Sequence, residues 1–176
     1  MRIALTGGIA CGKSLVAKYL NELGVATLDA DDVVHELIPA DERKRLAKIV
    51  FRDPAARKAL EARIHPLVKE RLNAFLADDG LRLAVIPLLF ETHWDAEYDI
   101  ICCVSSRRAA QVARMMTTRG YTCEEAEARL AAQMPVEEKA AKSHYVIEND
   151  GSSDDLRENV QRFVAWLKQK IQTTKQ

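Results

Sequence analysis

Hydrophobic residues recur along this chain in two rhythms. Short apolar runs, several rich in β-branched residues, alternate with longer stretches in which apolar residues return every three or four positions. The first rhythm predicts strands and the second predicts helices. Strands are expected at Arg2 to Thr6, Val25 to Leu28, Leu81 to Ile86, Tyr98 to Val104 and His144 to Ile147. The third is nearly all apolar and so belongs near the centre of a sheet.

The helical stretches carry their own punctuation. Lys13 to Leu23 places Val16, Ala17 and Leu20 on one face, and a helix beginning near Val33 should be interrupted by Pro39. Asp41 to Phe51 offers Leu46, Ile49 and Val50 as an apolar side. Asp53-Pro54 reads as a cap followed by proline at the first helical position. The stripe Leu60, Ile64, Leu67, Val68, Leu72 and Phe75 follows, and Pro66 predicts a kink or two helices. Ser105-Ser106 should cap a helix to about Thr118 with Ala109, Val112, Ala113 and Met116 inward. Thr122 and Glu125 have capping-box spacing before a helix from Cys123 to Gln133. A short helix should start at Pro135. The last helix, Ser153 to about Lys170, should bury Leu156, Val160, Phe163, Val164, Leu167 and Ile171. Strands separated by helices predict an α/β fold of three layers: a five-stranded, mostly parallel sheet with helices on both faces.

Composition mainly excludes. The chain has 176 residues, enough for one domain (1–176) with a sizeable core. It is 48% hydrophobic and 30% charged, with 26 Lys and Arg against 26 Asp and Glu. That balance argues against a general nucleic-acid coat or a polybasic membrane anchor. No apolar run reaches the length of a membrane span, and the first strand begins at once, so a cytoplasmic protein is expected rather than a secreted one. Cys11, Cys102, Cys103 and Cys123 show no CxxC pair or metal-ligand spacing. They read as reduced thiols, buried or half-buried.

The candidate chemistry begins at the end of the first strand. Gly7, four residues, then Gly12-Lys13-Ser14 fit the phosphate-binding pattern G-x-x-x-x-G-K-[ST], between a strand and a helix where that loop must lie. Converging backbone N–H groups and the helix N-terminus supply donors for a triphosphate. Lys13 is placed to reach the β- and γ-phosphates and Ser14 to hold Mg²⁺. Cys11, among loop N–H groups and beside a lysine, is a candidate for a lowered thiol pKa and for oxidation or alkylation that blocks ATP; the leading reading is an inert small residue in place of serine.

Asp29-Ala30-Asp31-Asp32 follows the second strand. Ligands of parallel sheets collect at the carboxyl ends of the strands, so these acids should face the phosphate loop. Helix capping by Asp29 or Asp31 is the other reading, and both readings can hold for different carboxylates. After Pro87, the Leu88-Leu89-Phe90 run is either core or an apolar substrate wall, and Glu91 either a cap or a group facing metal and substrate. On residue pattern alone His65 is more readily packing than ligand contact. Arg107, Arg108, Arg114 and Arg119 cluster on and after one helix, and the helical hairpin that they begin makes a lid over nucleotide. No Asn-Lys-x-Asp guanine-reading segment is present, which favours a small-molecule kinase over a GTP switch.

A set of segments then carries a more specific resemblance. Leu5-Thr6-Gly7-Gly8-Ile9, Leu28-Asp29-Ala30-Asp31, His65-Pro66-Leu67, Pro87-Leu88-Leu89-Phe90-Glu91, Arg129-Leu130-Ala131-Ala132-Gln133 and Val146-Ile147-Glu148-Asn149-Asp150-Gly151 occur in this order along nearly the whole chain. They resemble the dephospho-CoA kinase family. The resemblance implies transfer of the ATP γ-phosphoryl group to the ribose 3′-hydroxyl of dephospho-CoA, the last step of coenzyme A synthesis. It implies ATP and dephospho-CoA as partners, Mg²⁺ with the ATP, no nucleic acid or membrane, and a monomer or weak homo-oligomer. Asp31 matches the presumed general base, with Lys13 and Asp29 as its catalytic companions; Asp29 would act through metal-bound water. Gly8, Ile9, Ala10, Cys11, Gly12, Lys13, Ser14 and Leu15 would bind ATP, with Arg114 and Arg119 at phosphates and Asn149 in the turn beside adenine. Asp31, His65, Pro87, Leu88, Leu89 and Glu91 would line the acceptor site. Residues 32–78 would form a helical acceptor-binding region and 106–142 the lid.

The sequence departs from the family pattern at Ala10-Cys11, commonly Gly-Ser, and at Leu15, commonly threonine. The segment between Asp31 and His65 is also shorter than usual. Another small P-loop kinase, acting on a nucleoside monophosphate or sugar, and a catalytically weak ATP-binding regulatory protein are the alternatives.

Overall fold

A computed structural model describes residues 1–50 and 53–174. Five strands, β1 (Ile3–Gly7), β2 (Ala26–Asp29), β3 (Arg82–Val85), β4 (Ile100–Ser105) and β5 (Tyr145–Glu148), form one sheet in the order β2-β3-β1-β4-β5. Every pairing is parallel. The predicted strands are all present, most shifted by one or two residues toward their carboxyl ends. The register brings those ends to one edge. Asp29 stands level with Val85, Gly7 with Val104 and Ser105 with Glu148, so each following loop opens onto the same crevice.

The described residues form eight α-helices, α1 (Lys13–Glu22), α2 (Ala30–Leu37), α3 (Ala40–Val50), α4 (Pro54–Ala77), α5 (Arg108–Arg119), α6 (Cys123–Ala131), α7 (Val136–Ala141) and α8 (Ser153–Thr174). Ile3, Leu5, Leu83, Cys102 and Val104 pack with Val16 and Leu20 of α1 and with Val160, Phe163 and Leu167 of α8. Ala4, Ala84 and Ile101 point the other way, against Val33 of α2 and Val68 and Leu72 of α4. This alternation along β1 and β4 is what a sheet covered on both faces requires.

Several local expectations are confirmed by the chemistry that motivated them. Asp53 accepts from Ala55 and Ala56 N–H at the start of α4. Thr122 and Glu125 complete a reciprocal capping box on α6. Pro39 separates α2 from α3. Cys11, Cys102 and Cys103 are buried as expected; Cys123, expected to be at least half-buried, is exposed. Phe51, placed in a helix by the sequence pattern, lies outside the described residues.

Others are corrected. Pro66 does not divide its helix: α4 runs unbroken through it for 24 residues. The helix forgoes one backbone donor there and keeps Val68 and Leu72 buried. Leu67 and Ile49 are exposed. Ser105-Ser106 does not cap α5, whose N-cap is Arg107 with no side-chain cap bond. The largest correction concerns the inward face of α5. Ala109, Ala113 and Met116 face solvent, and the buried residues are Gln111 and Met115. Apolar periodicity misjudged the phase of this helix because its inner face meets polar backbone.

Candidate active site

β1 ends at Gly7, and the chain curls through Gly8 to Gly12 into α1. A Cβ on Gly7 would lie 2.3 Å from the Val104 carbonyl oxygen, and one on Gly12 would lie 2.3 Å from Asn149 Nδ2. Ala10 takes a left-handed conformation at φ 57 despite its side chain. No side chain caps α1; the Leu15 and Val16 N–H groups turn back onto Gly12 O at 3.0 Å, which leaves those of Lys13 and Ser14 to face a ligand.

Side chains hold five consecutive carbonyls of this loop. Lys13 Nζ donates to Gly7 O (3.0 Å) and Gly8 O (2.9 Å). From α5, Gln111 Nε2 donates to Ile9 O (2.7 Å) and Arg114 to Ala10 O (3.2 Å). From the turn after β5, Asn149 Nδ2 donates to Cys11 O (2.8 Å). The C=O and N–H of a planar trans peptide point opposite ways. Holding the Ile9 and Cys11 carbonyls toward α5 and β5 therefore turns the Ala10 and Gly12 N–H groups to the other side, as an anion nest requires. Cys11 N–H closes the turn onto Gly8 O at 3.3 Å.

Asp29 caps α2: its Oδ1 accepts from the Asp31 N–H at 2.9 Å. Asp31 thereby stands in the first turn of α2, exposed, at the helix end whose partial positive charge favours a carboxylate. Burial raises the pKa of Asp29, opposed by the Asp31 N–H bond and by Lys13 and reinforced by Asp31 and Asp32. Burial likewise lowers the pKa of Lys13; Cys11, Asp29 and Asp31 oppose the shift and Lys139 adds to it.

Lys13, Ser14, Asp29 and Asp31 open on one cavity of about 380 Å³, with Ile9, Ala10, Gly12, Pro87, Arg114 and Arg119 also in its walls. Ten residues singled out from the sequence thus converge on one space. Thr118 and Gln133 line it as well and had been given no role, although Gln133 closes one of the quoted segments.

The remaining candidates stand back from this cavity. Gly8 lies under Gln111, where an added Cβ would be 2.6 Å from Nε2. Cys11 is fully buried, and Leu15 is exposed on α1. Asn149 is buried with its amide committed to the loop. Leu89 is core, Leu88 is 39% exposed, and His65 packs edge-on against Trp94 at 5.0 Å between ring centroids. Glu91 Oε1 is 2.7 Å from Lys139 Nζ and accepts from Met134 N–H at 3.1 Å, while Oε2 is buried without a partner. Lys139 is fully buried and also donates to Pro87 O at 2.9 Å. The sequence had signalled neither Lys139 nor Gln111.

Cys11 fits the inert reading rather than the reactive one. Burial raises its thiol pKa and outweighs the opposing effects of Lys13, of hydrogen bonds with Ser106 and Gly8 backbone and of Arg114. The arginine cluster also divides. Arg107 pairs with Asp150 and Arg108 with Glu127, while Arg114 and Arg119 turn to the cavity.

The dephospho-CoA kinase family profile matches residues 1–44 and 39–155, most of the chain. This chain belongs to the dephospho-CoA kinase family. A dephospho-CoA kinase of Geobacter sulfurreducens is 38% identical over 94% of this chain and 97% of its own length. One of Symbiobacterium thermophilum is 38% identical over 93% of this chain and 79% of its own length. Among solved structures, TT1252 of Thermus thermophilus superposes with a TM-score of 0.80 at 35% identity, covering 95% of this chain and 97% of that one. A shikimate kinase of Bacteroides thetaiotaomicron, at 18% identity and a TM-score of 0.62 over 96% of this chain and 98% of its own, shares the P-loop kinase fold.

The dephospho-CoA kinase match falls into two stretches that overlap at residues 39–44, that is, at Pro39 and the start of α3. The alignment to the Symbiobacterium relative spans 191 residues, more than this chain contains, so it opens gaps in this chain. The break falls inside the segment expected to be short, and leaves the phosphate loop, Asp29, Asp31 and α5 to α7 within matched residues. Among the described residues no helix is long and apolar enough to cross a membrane.

Proposed function

We propose that this chain transfers the γ-phosphoryl group of ATP to the ribose 3′-hydroxyl of dephospho-CoA. The observation that carries the reading is the convergence of Lys13, Ser14, Asp29 and Asp31 on one cavity at the carboxyl edge of the sheet. Phosphoryl transfer asks a protein chiefly for positioning and charge stabilisation, with one group to orient the nucleophile and accept its proton.

The phosphates of ATP occupy the loop, met by its inward N–H groups and the N-terminus of α1. Lys13 exchanges the Gly7 and Gly8 carbonyls for phosphate oxygens. Arg119 approaches from the end of α5, in the 106–142 lid. Asp31 orients the acceptor hydroxyl and takes its proton as the O–P bond forms. Asp29 fixes the turn on which Asp31 stands. The acceptor enters beside Pro87 and the helical region 32–78, with His65, Leu88, Leu89 and Glu91 shaping that side from behind.

The residues fit Mg²⁺ carried in with ATP. Ser14 and Asp29 put two oxygen donors on the cavity, and among the described residues no cluster of three or more His, Cys, Asp or Glu forms a metal cage. When bound, Mg²⁺ neutralises charge on the phosphates.

ADP release measured with dephospho-CoA, nucleoside monophosphates and gluconate tests the acceptor. Turnover confined to dephospho-CoA supports the reading; preference for either other class, or no turnover, overturns it. Asp31→Asn keeps the size of the side chain but cannot take a proton, so kcat should fall about a hundredfold or more with ATP affinity little changed. Full kcat in this variant rules out Asp31 as the base, and lost ATP binding makes it a structural or metal group.

A further inference from the structure

Gln111 is buried at 3% exposure in the inner face of α5, where helices ordinarily place apolar side chains. Its Nε2 donates to the Ile9 carbonyl at 2.7 Å. The peptide so held is the one whose N–H belongs to Ala10, the non-glycine residue of the loop in left-handed conformation. Such a conformation persists only where the surroundings over-determine it. Here they do: the Ile9 and Ala10 carbonyls, on either side of the strained residue, are both fixed from α5, by Gln111 and Arg114. The same helix pins the loop by packing, since Ile9, Ala10 and Val112 lie against the small core of Met115, Ala126 and Leu130.

We propose that Gln111 is a positioning residue for the ATP phosphates. It touches no substrate. Its amide sets the direction of the Ala10 N–H and so the shape of the nest, and it makes that shape depend on the position of α5, whose far end carries Thr118 and Arg119 into the same cavity. The inference rests on the reading of this loop as a triphosphate site and is independent of which acceptor is used.

Two replacements separate the hydrogen bond from the space that Gln111 fills. Gln111→Met has a similar length and no donor. Gln111→Glu is nearly isosteric, but its carboxylate only accepts and so repels the Ile9 carbonyl. Calorimetry of ATP and of inorganic tripolyphosphate, with melting of the nucleotide-free proteins alongside, reads the effect. A loss of about threefold to tenfold in affinity for both ligands is expected in Gln111→Met, the range that follows from one ordinary hydrogen bond. Gln111→Glu should lose more. Equal loss for ATP and tripolyphosphate places the defect at the phosphates. The wild-type affinity should return in Gln111→Met only if the bond is irrelevant, and that result overturns the proposal. So does a variant that melts early yet binds ATP normally once folded, because Gln111 would then serve stability alone. Turnover with an unexpected acceptor, alongside the predicted affinity losses, would count against the acceptor assignment and leave this inference standing.

Discussion

Lys139→Met should unfold this protein more readily than any other charge removal on α7. Lys139 is wholly buried, with Nζ 2.7 Å from Glu91 Oε1 and 2.9 Å from the Pro87 carbonyl. At that separation the attraction is worth about 6 kcal/mol at an effective dielectric near 20, before the cost of removing both charges from water. The net value of the pair is much smaller, and it is the broken pair that is expensive. Without the ammonium, Glu91 keeps one bond, from Met134 N–H, while its Oε2 stays buried without a partner. Breaking a buried pair costs about 3–5 kcal/mol. The Glu91 side chain is 22% exposed, so water offers it some relief and the lower end applies. For a chain of this size about 3 kcal/mol lowers Tm by roughly 6–12 °C.

Thermal and urea unfolding of Lys139→Met measure the loss, and the double variant Lys139→Met/Glu91→Leu tests its origin. Removing both partners should recover most of the stability, because no buried charge is left unpaired. If Lys139→Met is within 1 kcal/mol of wild type, or the double variant is no better than the single, the pair is not what secures α7 to the loop after β3. The variant should also raise the KM for acceptor more than that for ATP, since the Pro87 carbonyl loses its shortest bond and keeps only Thr6 Oγ1 at 3.4 Å.

Two further outcomes follow from the loop. Burial lowers the Lys13 pKa in the empty site, and bound polyphosphate favours the charged amine. On the alkaline side of that lowered pKa, ATP binding should take up a proton and weaken as pH rises; calorimetry in two buffers of different ionisation enthalpy reads the uptake, which Lys13→Arg should abolish. At pH 7 a thiol reagent should modify exposed Cys123 and spare Cys11, whose pKa burial raises; rapid labelling of Cys11 that ATP prevents would contradict this.

What the sequence disclosed depends on the reach of each interaction. The phosphate loop, the Asp29 cap and the Thr122–Glu125 box are written within a few residues, and the structure builds each where the spacing puts it. The sheet was equally legible at its centre, because β1, β3 and β4 are buried on both faces and so read as nearly continuous apolar runs. Gln111 and Lys139 were not. Their partners lie 102 and 52 positions away, and both are polar side chains at positions that apolar periodicity assigns to solvent. A buried polar residue is visible only once its carbonyl or carboxylate partner is known. That is why α5 was turned to the wrong face and why the pairing of Glu91 with Lys139 was not foreseen.

The same reasoning separates Arg114 from Arg119, which the sequence had treated alike. Arg114 donates to Ala10 O, to Ser106 Oγ and, at 2.5 Å, to Asn149 O. Asn149 in turn holds Cys11 O. Arg114 is therefore a strut joining α5, the turn after β5 and the phosphate loop, with three of its five N–H donors committed there. Arg119 is exposed at the end of α5 and, among the described residues, makes no hydrogen bond or ion pair. On the proposed reading it is the guanidinium that meets a phosphate without drawing on the loop's own bonds. One helix thus both holds the loop, through Gln111 and Arg114, and brings the Arg119 side chain to the wall of the same cavity. The division follows from which guanidinium already has carbonyls to satisfy.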